Sequence, residues 1–315
     1  MDRVRPDKAI LKCERRGAIF RYRFRAMASL HELLLGTEDR ALADRAAHAA
    51  IDDVLRIEAK YSRYRDNSVT SAINRAAGAA AVPIDAETAA LLAYAERCHA
   101  LSGGRFDLTS GVLRRAWDFS RTPPRLPLEA DIAAARTLVG WERVEWNERS
   151  VRLARRGMEL DFGGIGKEYA ADRAATICSD EGIRHVLVNL GGDVRACGGH
   201  PEGGAWQVGI QHPRTPGATI GTIAVVDGAV ATSGDYERYF ELDGRRYCHV
   251  LDALTGVPVR AWQSVTVLAP LTVVAGSYAT IAMLLEASAV AFLESQRVSY
   301  LMVAADGRRV EREVE

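Results

Sequence analysis

Apolar and polar positions alternate through RYRFR at the head of residues 21–36, RYRFRAMASLHELLLG, and this period of two predicts a strand that turns at Gly36. The period then changes. Across the Ala-rich segment 41–60, Ala46, Ala50, Val54 and Ile57 recur at helical spacing, so the two segments form a strand–helix unit. A second helix is marked by Asp85 as its cap, Thr88 three residues on, the run LLAYAERCHAL, and Gly103-Gly104 as its stop. From about residue 185 short strands dominate: HVLVNL, WQVGIQ, TIGTIAVV, YERYFEL, RYCHVL and SVTVLA, separated by Gly, Pro and Asp clusters. A last helix over roughly 274–287 and a strand YLMVAA before Asp306-Gly307 complete the pattern. Strands come in runs, with helices set irregularly among them, which predicts an α+β fold rather than a doubly wound parallel sheet.

Residues 1–22 read as a basic leader, expected to be poorly ordered. Residues 23–315 read as one domain with room for two integrated lobes, about 23–125 and 126–315. The Pro-rich stretch RTPPRLPLEA is a surface loop near that division. No internal repeat or heptad seam is visible. Lys plus Arg and Asp plus Glu stand at 41 each, so no net field draws the chain to nucleic acid. Five scattered cysteines without a C-x-x-C pair argue against a disulfide framework and against a zinc site. The first twenty residues carry charges every few positions and never reach the apolar run of a signal peptide or membrane span. A cytoplasmic protein without membrane insertion is the expectation.

Several Gly-rich or polar segments interrupt the periodic structure. In LDFGGIGKEYAADRA, Gly163, Gly164 and Gly166 precede a helix beginning near Lys167, so backbone N–H groups, helix dipole and lysine can face a phosphate. The segment lacks the Walker spacing, and a tight turn packing helix on strand explains it equally well. VNLGGD puts Gly191 and Gly192 at the end of a strand with Asp193 on the turn, which ordinary hairpin chemistry accounts for. ATSGDYERYF reads as a capped turn, and RYCHVLDALTG sets His249 among strand residues, where a packed histidine is the ordinary reading.

Order changes the weight of these segments. FRAMAS, YSRYRDNSVTSAIN, GGRFDLTSGVLRRAWDF, LDFGGIGKEYAADRA, VLVNLGGD, ATSGDYERYF, RYCHVLDALTG and SVTVLAP together resemble, in this order, the ApbE family of FAD:protein FMN transferases. The resemblance runs from about Phe24 to Leu285. It implies an ApbE-like, T-fold-related architecture of mixed and antiparallel sheets with packed helices. It also implies a reaction in which the FMN half of FAD moves to a Ser or Thr hydroxyl of an acceptor flavoprotein, releasing AMP. On the matching positions, Met27 and Tyr64 would lie against the flavin, and Arg105, Phe106, Asp107 and Leu251 would contact FAD. Asp161 would accept from the adenosine part, Lys167 would answer phosphate charge, and His249 would act as general base.

The family's metal motif resembles A-D-A-x-[ST]-T, whose Asp and Thr bind Mg²⁺ together with a carbonyl of the Gly-rich turn. Here the stretch is Ala275-Gly276-Ser277-Tyr278-Ala279-Thr280. Gly164 and Thr280 keep their places, while Gly276 replaces the charged ligand, which implies weakened Mg²⁺ binding. The family's K-G-Y reads Lys167-Glu168-Tyr169 here, and two readings of Glu168 stand side by side: a compensating carboxylate, or a solvated helix residue. Loss of the aspartate also leaves open a non-catalytic FAD-binding protein. A hydrolase that releases FMN and AMP from FAD is the third reading.

Overall fold

The computed structural model describes residues 9–313. In chain order the elements begin with β1 (Ile10–Arg16), β2 (Ile19–Ala26), β3 (Ser29–Gly36), α1 (Arg40–Tyr61), α2 (Val69–Arg75), β4 (Val82–Pro83), α3 (Ala86–Leu101) and α4 (Glu129–Arg136). Then come β5 (Val144–Trp146), β6 (Ser150–Leu153), α5 (Gly166–Asp180), β7 (His185–Leu190), β8 (Asp193–Cys197), β9 (Trp206–Gln211), β10 (Thr219–Val225) and β11 (Gly228–Gly234). The chain ends with β12 (Tyr239–Leu242), β13 (Arg245–Cys248), β14 (Trp262–Ala269), α6 (Thr272–Leu285), α7 (Ala289–Ser295), β15 (Ser299–Ala304) and β16 (Arg309–Arg312). The mixture of helices with antiparallel sheets is α+β.

Two compact units result, and neither is a continuous stretch. The first holds the described residues up to Ala59, with Gly166–Thr232 and Thr266–Gly276; the second holds Lys60–Ile165, Ser233–Val265 and the chain from Ser277. This replaces the sequential lobes split near residue 125. The cause is long-range strand pairing: β3 pairs antiparallel with β7, His31 opposite Leu190, so remote segments share one sheet.

In the first unit the strand order is β1-β2-β3-β7-β8-β11-β14. β2 turns Phe20, Tyr22, Phe24 and Ala26 inward and keeps Arg21, Arg23 and Arg25 out, as the period of two requires. Helix α1 starts at Asp39, whose carboxylate accepts from the N–H groups of Ala41 and Leu42, and it buries Ala43, Ala46, Ala47, Ala50, Val54 and Ile57. β9 and β10 form a separate antiparallel pair.

The leader differs from its reading. Ile10–Arg16 is a strand, paired with β2 through Glu14 opposite Arg21 and Arg15 opposite Phe20. Its side chains are largely exposed, so backbone pairing alone makes it a strand and no apolar pattern announces it. Residues 1–8 lie outside the described residues. The stretch 21–36 also differs, since it is a hairpin rather than one strand. Met27 and Ala28 form its two-residue turn at φ +48° and +61°, a left-handed conformation taken here by residues that carry a Cβ.

In the second unit, α3 begins where Asp85 accepts from Thr88 N–H at 3.0 Å, as expected. β4, β6 and β5 form a small sheet, β12 pairs with β13, and β15 pairs with β16. Trp117, Phe240 and Tyr247 make a buried aromatic cluster against which Leu251 packs. The helical run Thr272–Ser295 is long and apolar enough to cross a bilayer by length and composition, with mean hydropathy 1.6, and half of that window is buried inside the protein.

Candidate functional site

The first unit gathers its polar groups around two turns and the head of one helix. The β7–β8 turn is the hairpin expected of VNLGGD: Gly191 and Gly192 sit at φ +61° and +98°, and Leu190 faces Asp193. Asp193 opens β8 with its side chain buried. Lys167, in the first turn of α5, meets its carboxylate at 2.7 Å and lies 3.5 Å from the Gly191 carbonyl. Burial pushes the Asp193 carboxyl up, against the opposing pull of Lys167. The lysine therefore stands where the sequence places it, at the head of the helix after the glycines, but an acid already holds it.

The β2–β3 turn lies beside the same lysine. A Cβ built on Gly191 would come 3.2 Å from Ser29 Oγ, 3.7 Å from Lys167 Nζ and 3.8 Å from His31 Cε1. His31 is wholly buried, and desolvation pushes its pKa down to about 4, with Lys167 adding a smaller push in the same direction. It is thus a neutral imidazole. The Ala26 carbonyl, 2.8 Å from Nε2, can only accept, so Nε2–H donates to it, while Nδ1 carries the lone pair and has no hydrogen-bond partner. His31 pins the turn that presents half-buried Met27. The sequence carried one signal for it: His31, Leu33 and Leu35 share a face at a period of two, and that face is inward.

Glu168 follows Lys167 and is only 8% exposed, which removes the solvated reading. It faces Gly276 on α6. A Cβ at 276 would sit 2.6 Å from Glu168 Cγ and 3.2 Å from Oε1, so the space of a side chain at 276 is filled by the glutamate. One turn further along α5, Asp172 accepts from Thr272 N–H at 2.8 Å and Val273 N–H at 2.9 Å, capping α6. Burial, and after it the Asp193 charge, push Glu168 up to about 7, and its Oε2 has no hydrogen-bond partner.

In the second unit, Asp161 caps the short turn Phe162–Gly164, accepting from Gly163 N–H at 2.9 Å, and forms an ion pair with Arg63. Arg63 also donates to the Tyr64 hydroxyl at 2.8 Å and stacks over that ring at 4.9 Å. Its hydrogen bond holds the Tyr64 hydroxyl below the usual phenol range. Tyr64 is 77% exposed, so an open aromatic face stands on an arginine–aspartate pair. Sequence reading singled out Tyr64 and Asp161 but missed Arg63, although YSRYRDN contained it. Gly111 fits closely here, since a Cβ on it would come 2.6 Å from Asp161 Cβ.

Three positions carry structural duties that their residue types did not disclose. Asp107 is buried, with Oδ1 accepting from Thr109 N–H and hydroxyl and Oδ2 from Trp141 N–H at 3.0 Å. Phe106 is buried, its ring edge 3.3 Å from the Cβ direction of Gly164. Arg105 forms an ion pair with Asp252, a residue sequence reading passed over. A cavity of about 210 Å³ opens nearby, lined by His99, Gly104, Asp107, Arg136, Glu142 and Leu254 among others.

His249 directly follows β13 and is half-buried. Its backbone N–H donates to the Arg238 carbonyl at 2.9 Å, and Nδ1 lies 3.3 Å from the same oxygen. With Nδ1–H donating there, Nε2 is the basic nitrogen. Burial pushes the adjacent Cys248 thiol up to about 11, which keeps it an inert packing group. Thr280 lies on α6 one turn beyond Gly276. Among the described residues no group of three His, Cys, Asp or Glu gathers to hold a metal ion.

Comparison with known proteins places this geometry among relatives. The profile described as the ApbE family matches residues 23–302. An FAD:protein FMN transferase of Treponema pallidum is 32% identical over 305 residues, covering 88% of this chain and 84% of the relative. One from Klebsiella pneumoniae is 33% identical, covering 79% of this chain and 77% of its own. Among solved structures, the ApbE protein of Thermotoga maritima superposes with a TM-score of 0.85 at 31% identity, over 94% of this chain and 97% of that one. The apo flavinyl transferase ApbE of Pseudomonas stutzeri gives 0.81 at 27% identity, over 97% and 96%.

Proposed function

This chain belongs to the ApbE family, and we infer from that membership that it is an FAD:protein FMN transferase acting on an acceptor protein. What carries the reading is the family match over residues 23–302, within which the lysine and histidine suited to phosphoryl transfer are both present.

In the proposed reaction a Ser or Thr hydroxyl of the acceptor attacks the FMN phosphorus of FAD. A new P–O bond forms to the acceptor, the bridging P–O bond breaks, and AMP leaves. The hydroxyl proton goes to Nε2 of His249, the nitrogen left basic by the Arg238 carbonyl. Lys167 lies at the helix head where pyrophosphate charge would be answered, and reaching it means sharing the lysine with Asp193. Tyr64, braced by Arg63, offers an open aromatic face for a planar ring.

A divalent cation belongs to the proposal, with the Gly164 carbonyl and the Thr280 hydroxyl as oxygen donors and no side chain from Gly276. When bound it would neutralise pyrophosphate charge during transfer. A cytoplasmic location without membrane insertion is also part of this reading, supported by five free thiols and by the half-buried apolar helix.

The test is incubation with FAD, Mg²⁺ and Ser- or Thr-bearing acceptor peptides, followed by mass spectrometry for the FMN adduct. His249→Ala should lower adduct formation by roughly 10²–10⁴-fold while FAD stays bound, and undiminished transfer would remove His249 from the mechanism. The missing acid at 276 favours one competing outcome, a protein that binds FAD and releases no AMP. AMP without adduct would instead mark a hydrolase.

A further inference from the structure

We propose that Glu168 supplies the anionic ligand for a hard divalent cation in this protein, the carboxylate having moved from position 276 on α6 to position 168 on the facing helix α5. The inference rests on the transferase reading for the use of that ion, but the placement of the carboxylate stands on geometry in the first unit alone.

Three observations converge on it. First, α5 and α6 face each other here: Asp172 caps the start of α6, and Glu168, one turn earlier, lies against Gly276, one turn later. Second, the two positions compete for one volume. A Cβ at 276 would be 2.6 Å from Glu168 Cγ and 3.3 Å from Cδ, so a carboxylate can be carried from either helix but not from both. Third, Glu168 is more than nine-tenths buried, yet its Oε2 has no hydrogen-bond partner. A buried oxygen left in that state is costly unless something positive or hydrogen-donating meets it.

The lysine beside this carboxylate makes its close ion pair with another acid: Lys167 meets Asp193 at 2.7 Å and offsets the charge of Glu168 only in part. An added cation would meet the unpartnered oxygen. The donor set points to a small hard ion: one carboxylate, completed by neutral oxygens, water and substrate phosphate, suits Mg²⁺ or Mn²⁺. It does not suit zinc, because no trio of His, Cys, Asp or Glu gathers among the described residues.

Mn²⁺ binding to the full-length protein, read by loss of the free-ion electron paramagnetic resonance signal with FAD present, tests the proposal apart from turnover. Glu168→Gln, which keeps the shape and removes the charge, should weaken Mn²⁺ at least tenfold with FAD affinity retained. In Glu168→Ala/Gly276→Asp the vacated space receives the relocated acid, and Mn²⁺ affinity should return to within a fewfold of the parent. Parent-like Mn²⁺ binding by Glu168→Gln, or no recovery in a folded double variant, would overturn the assignment. Failure of the transferase reading would register separately, as absence of FMN adduct in a protein that binds Mn²⁺ through Glu168.

Discussion

A single methyl group added at position 276 should cost stability only while Glu168 is present. Gly276 lies inside α6, where replacing Gly by Ala ordinarily stabilises a helix by about 0.8–1 kcal/mol. Here the new Cβ would be 2.6 Å from Glu168 Cγ, when carbon atoms prefer roughly 3.5–4.0 Å. The contact is to the middle of the glutamate and not to its flexible end, so relief requires the whole carboxylate to leave its buried place. Overpacking of this kind costs about 1–3 kcal/mol, so Gly276→Ala alone should range from near neutral to about 2 kcal/mol destabilising. In a Glu168→Ala background the obstacle is gone and the same change should stabilise by up to about 1 kcal/mol. Urea denaturation of the four proteins gives the coupling directly, with an expected value of about 1–3 kcal/mol. Equal effects of Gly276→Ala in both backgrounds, within about 0.5 kcal/mol, would refute the idea that the two positions share one volume.

Two further tests follow from buried charge. His31 has its pKa pushed down to about 4 from an unfolded value near 6.5, so the unfolded chain binds the extra proton first as pH falls. Its contribution is therefore fully present above about pH 6.5 and is lost as pH falls through 4, worth at most about 3 kcal/mol. Denaturation at a series of pH values should show His31→Gln flattening the curve in that window, and an unchanged slope would sink the assignment. Lys167→Met strands the buried Asp193 carboxylate, and the loss should lie at or below the roughly 3–5 kcal/mol seen for broken buried pairs, because Lys167 is partly exposed. Adding Asp193→Asn should recover most of it, and no recovery would show that Lys167 acts by some other contact.

Much of the candidate site was legible because particular residue types leave marks in order. The hairpin at Gly191-Gly192 and the cap at Asp85 each need a specific backbone conformation or hydrogen bond that few residues supply. Arg63, Asp193 and Asp252 were not legible as site residues, since an arginine in a polar loop or an aspartate on a turn looks the same whether solvated or paired. Asp107 was marked by its motif, and what only the structure adds is that its oxygens accept from Thr109 and Trp141.

By itself, the sequence determined the α+β class, the limits of α1 and α3, and the family. These are local or ordered features, written in period, capping and motif. Tertiary structure decided the rest. It made a strand of the charged stretch Ile10–Arg16, because pairing with β2 needs backbone groups and no apolar pattern. It bent the chain at Met27-Ala28, where no glycine or asparagine announces a turn. It removed the solvated reading of Glu168 as well, because burial is a property of the facing helix: the glutamate fills the space left where α6 presents a residue without a side chain.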